Sequence, residues 1–556
     1  MDIVVIGGGA CGFKAACRAR RRNEEANITV VDASPYPSLG RCGLPYYVAG
    51  IVHSIDDLRK TLAGTVRDEN YFKRVKNIDV LSRTKAVKID RERRVVKIVK
   101  PDGSEDELNY DYLVLATGAK PVRLNLPNAD ADGVTTLFDP EDAERILEMW
   151  DEGILEKAVI IGGGLIGMEM AEALSNLDVE VTIVEIMEYI LPALLDKEMA
   201  LLVEEYLRDK GVKVLTSSKV TEILTNGGRV KGVKVNGSKE IPCDLVLMAV
   251  GVRPNVDLAL DAGLEVGKFG IKVDEYLRTS DEMIFAGGDC VENRCLITGN
   301  PVYTPMGTIA NKHGRVIGDN VTGGNSKFPG VLGTTIFKVF ELNVARTGLT
   351  EKRARELGYD VVTCLVPGPD KTHYYPHQKP IRVKLIVERG SGRILGAQIV
   401  GWGVVDKRID VIASAIHMKA TVHDLANFDL AYAPPYSTAI DTLIHSANTV
   451  RNKMDGLFEA ISTFEVKEKL DKGEDVVLLD IRTDEEYRKF KKIEDERVVR
   501  IPLEELRERL NELPKDKEII IMCQVGSRSY EAYRILKGSG FENVKVMEGG
   551  LAFWFW

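Results

Sequence analysis

The chain contains no CxxC pair and no apolar run approaching the roughly 20 residues that a membrane helix needs. Its eight cysteines (11, 17, 42, 243, 290, 295, 364 and 523) come no closer together than Cys290 and Cys295. That scatter suggests neither a zinc ribbon nor a disulfide framework; each thiol has to be read alone, and no metal site is expected. Positive charge is in short supply as well. The 75 Lys and Arg stand against 84 Asp and Glu, a formal balance of −9, so there is no overall basic footprint for nucleic acid or a membrane surface, and any anion site must be local. Glutamine occurs only at 378, 398 and 524 in a chain rich in Glu, Lys and Arg, a bias of heat-adapted proteins. The opening MDIVVIGGG lacks the basic and then long apolar pattern of a secretory leader, which points to the cytoplasm.

What is present is a chain of 556 residues, 44% hydrophobic and 29% charged. At about 150 residues per domain this is three to four ordinary globular domains. The β-branched run Val4 to Ile6 opens onto Gly7, Gly9 and Gly12, continues into the helix-like FKAACRARRRNEE, and is followed by a second run ending at Asp32. The same order recurs in AVIIGGGLIGMEMAEALSNLDVEVTIVE, with Gly162, Gly164 and Gly167 after one strand and Glu185 after the next. Strand, glycines, helix, strand and terminal acid in this order mark a dinucleotide-binding unit, and there are two of them. The first glycine permits the tight turn, the second lets the backbone approach a pyrophosphate, and the third lets helix and strand pack closely. Asp32 and Glu185 would accept hydrogen bonds from ribose hydroxyls. No Arg or Lys follows Glu185 in Ile186, Met187 and Glu188, so the second unit is expected to prefer NADH to NADPH.

Two dinucleotides on one chain make chemical sense as FAD beside a nicotinamide. LNYDYLVLATGAKP (residues 108–121, with Ala116, Thr117 and Gly118) and MIFAGGDC (residues 283–290, with Asp289) are further strand-plus-glycine segments. With them the chain resembles the two-dinucleotide flavoprotein disulfide reductases, whose corresponding Asp holds the FAD ribityl-pyrophosphate region. The resemblance implies a split FAD domain at 1–150 and 251–325, an NAD domain at 151–250, and an α+β dimerisation domain at 330–450 that forms homodimers. Near the C-terminus, Asp480-Ile481-Arg482 and the loop Cys523-Gln524-Val525-Gly526-Ser527-Arg528 between an apolar strand and a helix resemble a rhodanese, with EGGLAFW as its tail. Loop N–H groups, the helix N-terminus and Arg528 would stabilise a persulfide anion on Cys523. The rhodanese domain is expected at 457–556, after a linker at Thr449–Gly456, with its edge rebuilt where KKIEDERVVR replaces the usual Gly-His stretch. The fold class is α/β throughout, apart from the α+β dimerisation domain.

The cysteine pair of the glutathione reductase-like members is missing. SLGRCGLPYYVAG carries Cys42 alone, which resembles the single-cysteine branch of coenzyme A disulfide reductases, NADH oxidases and peroxidases, and persulfide reductases. A lone cysteine must cycle against an external sulfur or a sulfenic acid; the other six thiols are expected to be core residues. Oxidase and peroxidase members carry a His where this chain has Ala10. The coenzyme A members use basic residues of the first helix and residues before the Cys, which Arg18, Arg21, Ser38 and Lys73 match; Arg41 stands where Asn is usual, and is expected to hold the Cys42 thiolate or a coenzyme A oxygen. HYYPHQKP and DLAYAPPYSTA resemble the segments whose two tyrosines reach over the partner subunit's Cys42, which carries over to Tyr374 and Tyr432, with Tyr375 the neighbouring alternative. The resemblance implies NADH-dependent reduction of persulfides, polysulfides or coenzyme A disulfides through Cys42, with Cys523 handling sulfane sulfur. The alternatives are an NADH oxidase, and a non-catalytic flavoprotein that senses redox state.

Overall fold

A strand of a parallel sheet is covered on both faces, so it needs an unbroken apolar run rather than alternation. Strand Asp2–Ile6 meets that demand: Ile3 and Val5 enter one buried cluster while Val4 and Ile6 enter another on the opposite face. It pairs in parallel with Asn27–Val31 and Tyr112–Leu115, and Asp79–Leu81 and Ile284–Ala286 extend the sheet to five strands. A second five-stranded parallel sheet is built on Lys157–Ile161, flanked by Glu180–Val184 and Leu245–Met248. In this computed structural model, which describes residues 1–556, the two sheets lie in one compact unit, Met1–Ile190 with Arg208–Val331; Leu191–Leu207 and Leu332–Trp556 form the other.

The second unit holds an antiparallel sheet of Thr335–Val339, Leu342–Gly348, Ile394–Gly401, Pro380–Glu388 and Val361–Pro369. It also holds a parallel sheet whose central strands are Val476–Asp480 and Glu518–Met522. Ile519, Ile521 and Cys523 face one apolar cluster of that sheet and Ile520 and Met522 the other. At this edge Val498–Arg500, from the replacement stretch, pairs in parallel with Val476–Asp480 as the outermost strand. The expected linker is helical over most of its length. Thr449–Met454 are the last turns of helix Thr442–Met454, because the stretch has no Pro to stop it and Lys453 is drawn into a partly buried ion pair with Glu548 of the C-terminal tail. Lys453 also donates to Thr363 O at 2.7 Å, and the Leu365 N–H donates to Glu548 Oε1 at 3.1 Å.

Segment Leu191–Leu207, inside the stretch expected to bind NAD, is tied within the second unit by a buried charge cluster. Lys384, 1% exposed on its strand, sits 3.1 Å from Asp196 and 2.7 Å from Glu351 and pairs with Glu198. Asp196 also accepts the Glu351 N–H at 2.9 Å and the Gln398 side-chain amide at 2.6 Å. Burial disfavours the Lys384 charge, but Glu198, Asp196 and Glu351 outweigh burial and hold its pKa well above the ordinary lysine value. The sign of that shift makes the charged lysine stabilising at every pH below about 10. Lys384→Met leaves Asp196 and Glu198 without their cation and Glu351 with Arg355 alone, and an uncompensated buried charge typically costs about 3–5 kcal/mol. Urea unfolding at pH 7 is expected to show a loss of that order; a midpoint equal to wild type would show that the cluster contributes nothing.

Candidate active site

Both glycine turns are forced by close approach. A Cβ on Gly7 would lie 2.1 Å from the Ala116 carbonyl oxygen and one on Gly12 would lie 1.9 Å from the Gly7 carbonyl, whereas one on Gly9 would meet nothing within 4 Å. The second turn repeats the pattern: Gly162 is blocked by Ala249 at 2.5 Å, Gly167 by the Gly162 carbonyl at 2.4 Å, and Gly164 is almost clear. In each turn the first and third glycines are packed and the second is open toward the start of a helix, Ala10–Arg22 or Leu165–Ser175. This cradle fits a pyrophosphate, which the helix dipole and free N–H groups would hold.

The acids stand where the turns need them. Glu185 accepts the Gly163 N–H at 2.7 Å and the Met187 N–H at 2.8 Å, fixing both carboxylate oxygens at the end of the second strand. Asp32 accepts the Ser34 N–H at 3.2 Å. Burial pushes the pKa of Asp32 upward, and of Asp289 likewise, while the nearby Arg41 charge opposes both shifts. The Asp289 backbone carbonyl accepts the Tyr303 hydroxyl at 3.1 Å. Thr117 donates from its hydroxyl to Asn255 O at 2.6 Å, and Gly118 follows at φ +68°, so the two parts of the expected FAD domain, 1–150 and 251–325, meet at Asn255.

Cys42 lies exposed in the short turn Arg41–Gly43, directly before helix Leu44–Val48. Upstream, the Ser38 N–H donates to the Gly8 carbonyl at 3.1 Å, with Ser38 itself at φ +60°. Downstream, the helix packs on Leu165–Ser175, the helix that follows the second glycine turn. One accessible thiol is thereby anchored to both dinucleotide turns. Arg41 behaves differently from expectation. Its guanidinium donates to Phe138 O at 3.1 Å, pairs with Asp139 at 3.0 Å and stacks over the Phe138 ring, because these partners satisfy its planar fork, and the sulfur of Cys42 takes none of its hydrogen bonds.

The other basic candidates are dispersed. Arg18 is bound to Asp319 at 2.6 Å, Lys73 to Asp79 at 2.6 Å, and Arg21 is exposed. Lys76, Arg21, Lys14 and Arg67 all act on the half-buried Cys17 thiol, whose pKa is nonetheless raised, burial being the larger effect. Lys76 and Arg67 carry no motif and were not legible from the sequence. Cys11, Cys243, Cys290, Cys295 and Cys364 are buried and unbridged, and burial pushes Cys243 and Cys364 up to about 12. On the second unit Tyr374 and Tyr432 share a hydrogen bond that raises the Tyr432 pKa, while both rings remain 64% and 48% exposed. Tyr375 is turned to a backbone bond with Thr372 O.

Cys523 is fully buried at the end of strand Glu518–Met522, and its sulfur accepts the Gly526 N–H at 3.1 Å. Gly526 sits at φ +92°, which turns the loop into helix Ser527–Gly538. The tail closes over it: the Leu551 N–H donates to Cys523 O at 3.0 Å and the Ala552 N–H to Gln524 O at 3.1 Å. Arg482, buried and bidentate with Asp480, reaches Gln524 at 3.3 Å. Arg528 hydrogen-bonds the Cys523 thiol and also grips Glu486 with two bonds of 2.8 and 2.7 Å. That grip holds the Glu486 carboxyl down at about 2. Glu486 escaped notice because Thr-x-x-Glu reads as a helix cap, which it also is.

The pyridine nucleotide-disulphide oxidoreductase pattern matches residues 1–310, its dimerisation domain 334–444, and a rhodanese-like domain 462–555. The chain belongs to the pyridine nucleotide-disulphide oxidoreductases. It is an oxidoreductase of that family, which works with FAD and a pyridine nucleotide, and it carries a C-terminal rhodanese-like domain. The structure of an NAD-dependent persulfide reductase from A. fulgidus superposes with a TM-score of 0.96 at 56% identity, covering 100% of both chains. An NAD(P)H sulfur oxidoreductase (CoA-dependent) of Pyrococcus furiosus is 37% identical over 81% of this chain and 99% of its own length. A protein named NADH oxidase in Methanocaldococcus jannaschii is 37% identical over 82% of this chain and 99% of its own. No helix is long and apolar enough to cross a membrane.

A 2′-phosphate on the nicotinamide dinucleotide would meet the Glu185 carboxylate, a repulsion worth about tenfold when partly desolvated. The ratio of kcat/KM for NADH over NADPH is expected to be about ten. Equal values would show that the carboxylate faces away from the ribose.

Proposed function

We propose that this enzyme is an NADH-dependent flavoprotein reductase of persulfides, polysulfides or coenzyme A disulfides, acting as a homodimer, with the rhodanese domain supplying or receiving sulfane sulfur on Cys523. The observation that carries the reading is the anchoring of one exposed thiol, Cys42, to both dinucleotide turns. The names of the A. fulgidus and P. furiosus relatives support it. Gly7, Gly9, Gly12, Asp32, Ala116, Thr117, Gly118 and Asp289 would hold FAD; Gly162, Gly164, Gly167 and Glu185 would hold NADH. Bound flavin supplies the exchange of a hydride for an electron pair delivered to sulfur.

The residues of this chain do the rest. The Cys42 thiolate attacks a substrate S–S bond; a mixed disulfide forms on Cys42 and the other half leaves as thiolate. Reductive cleavage of that mixed disulfide restores Cys42, so the balance is NADH, one proton and RSSR′ giving NAD⁺, RSH and R′SH. For a persulfide R′ is hydrogen and the product is sulfide. Arg18, Arg21, Ser38 and Lys73 would hold a coenzyme A carrier, together with Lys76 and Arg67. The linked Tyr374 and Tyr432 would donate a proton to the leaving thiolate over the partner subunit's Cys42. The name of the M. jannaschii relative favours a second reading, oxygen reduction by NADH; that reading gives Cys523 no task, and Ala10 puts no imidazole in the first turn. Anaerobic NADH turnover with a persulfide, set against oxygen uptake in air, separates the two.

Cys42→Ser is expected to abolish NADH-dependent reduction of every sulfur substrate, since a hydroxyl forms no mixed disulfide. Cys523→Ser should remove transfer from polymeric donors and leave small persulfides turning over. Equal loss in both variants would make the two thiols an obligatory relay and overturn the division of labour.

A further inference from the structure

We propose that Glu486 sets the charge of the Cys523 loop and thereby selects persulfide sulfur over thiosulfate sulfur. The inference rests on the reading of Cys523 as a sulfane-sulfur acceptor and adds its donor class. Two guanidiniums reach the loop, and each is matched by its own carboxylate: Arg482 by Asp480 at 2.8 Å and Arg528 by Glu486 at 2.7 Å. Lys491, whose backbone carbonyl accepts from Arg482, gives its ammonium to the Trp554 carbonyl and lies 3.6 Å from Glu205. Beyond the Arg528 bond to the thiol, whose charge Glu486 offsets, what holds an anion is the Gly526 N–H on the sulfur and the N-terminus of helix Ser527–Gly538, equivalent to roughly half a positive charge. That suffices for one thiolate or persulfide anion. It leaves nothing for the second charge of a dianionic donor.

The two donors differ in charge as well as in leaving group. Attack of the Cys523 thiolate on the outer sulfur of RSSH forms one S–S bond and breaks the donor's; the bonding pair leaves on RS⁻, and Cys523–SSH is the product. The same attack on thiosulfate expels sulfite, and the donor must bring two negative charges to a loop whose ion pairs are already closed. Glu486 acts through Arg528 and touches neither sulfur, so it is a positioning residue. Because its carboxyl is held far below the usual range by Arg528, the pair stays closed across the working pH.

The test uses the full chain with sodium thiosulfate and glutathione persulfide as donors and cyanide as acceptor, which regenerates Cys523 as thiocyanate leaves. Wild type is expected to favour the persulfide in kcat/KM. Glu486→Gln frees the Arg528 charge and should raise the thiosulfate-to-persulfide ratio about tenfold or more, with a steeper salt dependence of the thiosulfate rate, while Glu486→Asp keeps the wild-type ratio. A ratio unchanged in Glu486→Gln, or proportional loss of both donors as a purely structural role would give, overturns the proposal. Should Glu486→Gln fail to fold, wild type decides alone: thiosulfate used as well as the persulfide overturns it. Mass spectrometry of wild type separates the two levels. No added sulfur on Cys523 from either donor removes the acceptor reading itself, whereas sulfur on Cys523 with an unshifted ratio removes only the role of Glu486.

Discussion

The packing of Gly12 against the Gly7 carbonyl, closer than any Cβ permits, is the constraint on which the catalytic half depends. It brings the first helix to the end of strand Asp2–Ile6, aims that helix's N-terminus over the open Gly9, and puts the Gly8 carbonyl where the Ser38 N–H can find it. Cys42 follows four residues later. The second turn, with Gly167 against Gly162, sets helix Leu165–Ser175 in the same manner, and the helix after Cys42 rests on it. The accessible thiol is thus located by backbone contacts two steps removed from itself, and it needs no side chain of its own to hold it in place.

The same economy governs the second thiol by different means. Cys523 directly follows strand Glu518–Met522 and keeps its alternation, on the buried face of Ile519 and Ile521. Its sulfur faces an N–H only because Gly526 turns left-handed, and Gly549 and Gly550, at φ +71° and +63°, let the tail pass over the loop. Charge is then balanced pair by pair around it. One thiol is exposed and lightly constrained, the other enclosed and heavily constrained.

Much of this was legible in the residues. Unbroken apolar runs ending in glycines identify parallel strands and phosphate turns because few other arrangements satisfy both burial and close approach, and the lone Cys42 and the Cys523 loop announced themselves by spacing. What the residues did not disclose depends on side-chain choice among several partners. Arg41 had a thiol and two nearby acceptors within reach and took Phe138 O and Asp139. Glu486 caps helix Asp484–Lys489, yet its second oxygen belongs to Arg528. Thr449–Met454 looked like a linker between domains, but its helical propensity and the pull of Glu548 on Lys453 kept the helix going.

That last ion pair bears on how portable the rhodanese domain is. Glu548 directly precedes Gly549 and Gly550, which close the Cys523 loop, while its carboxylate is spent on Lys453 and the Leu365 N–H of the antiparallel sheet. Cutting the chain after Gly456 would therefore not yield two clean modules. The excised rhodanese would keep a bare carboxylate beside its active loop, and the remaining enzyme would carry an unpaired amide at Leu365 and a half-satisfied ammonium above the buried Cys364. A graft of this domain onto another reductase has to take the strand and helix that receive Glu548 along with it.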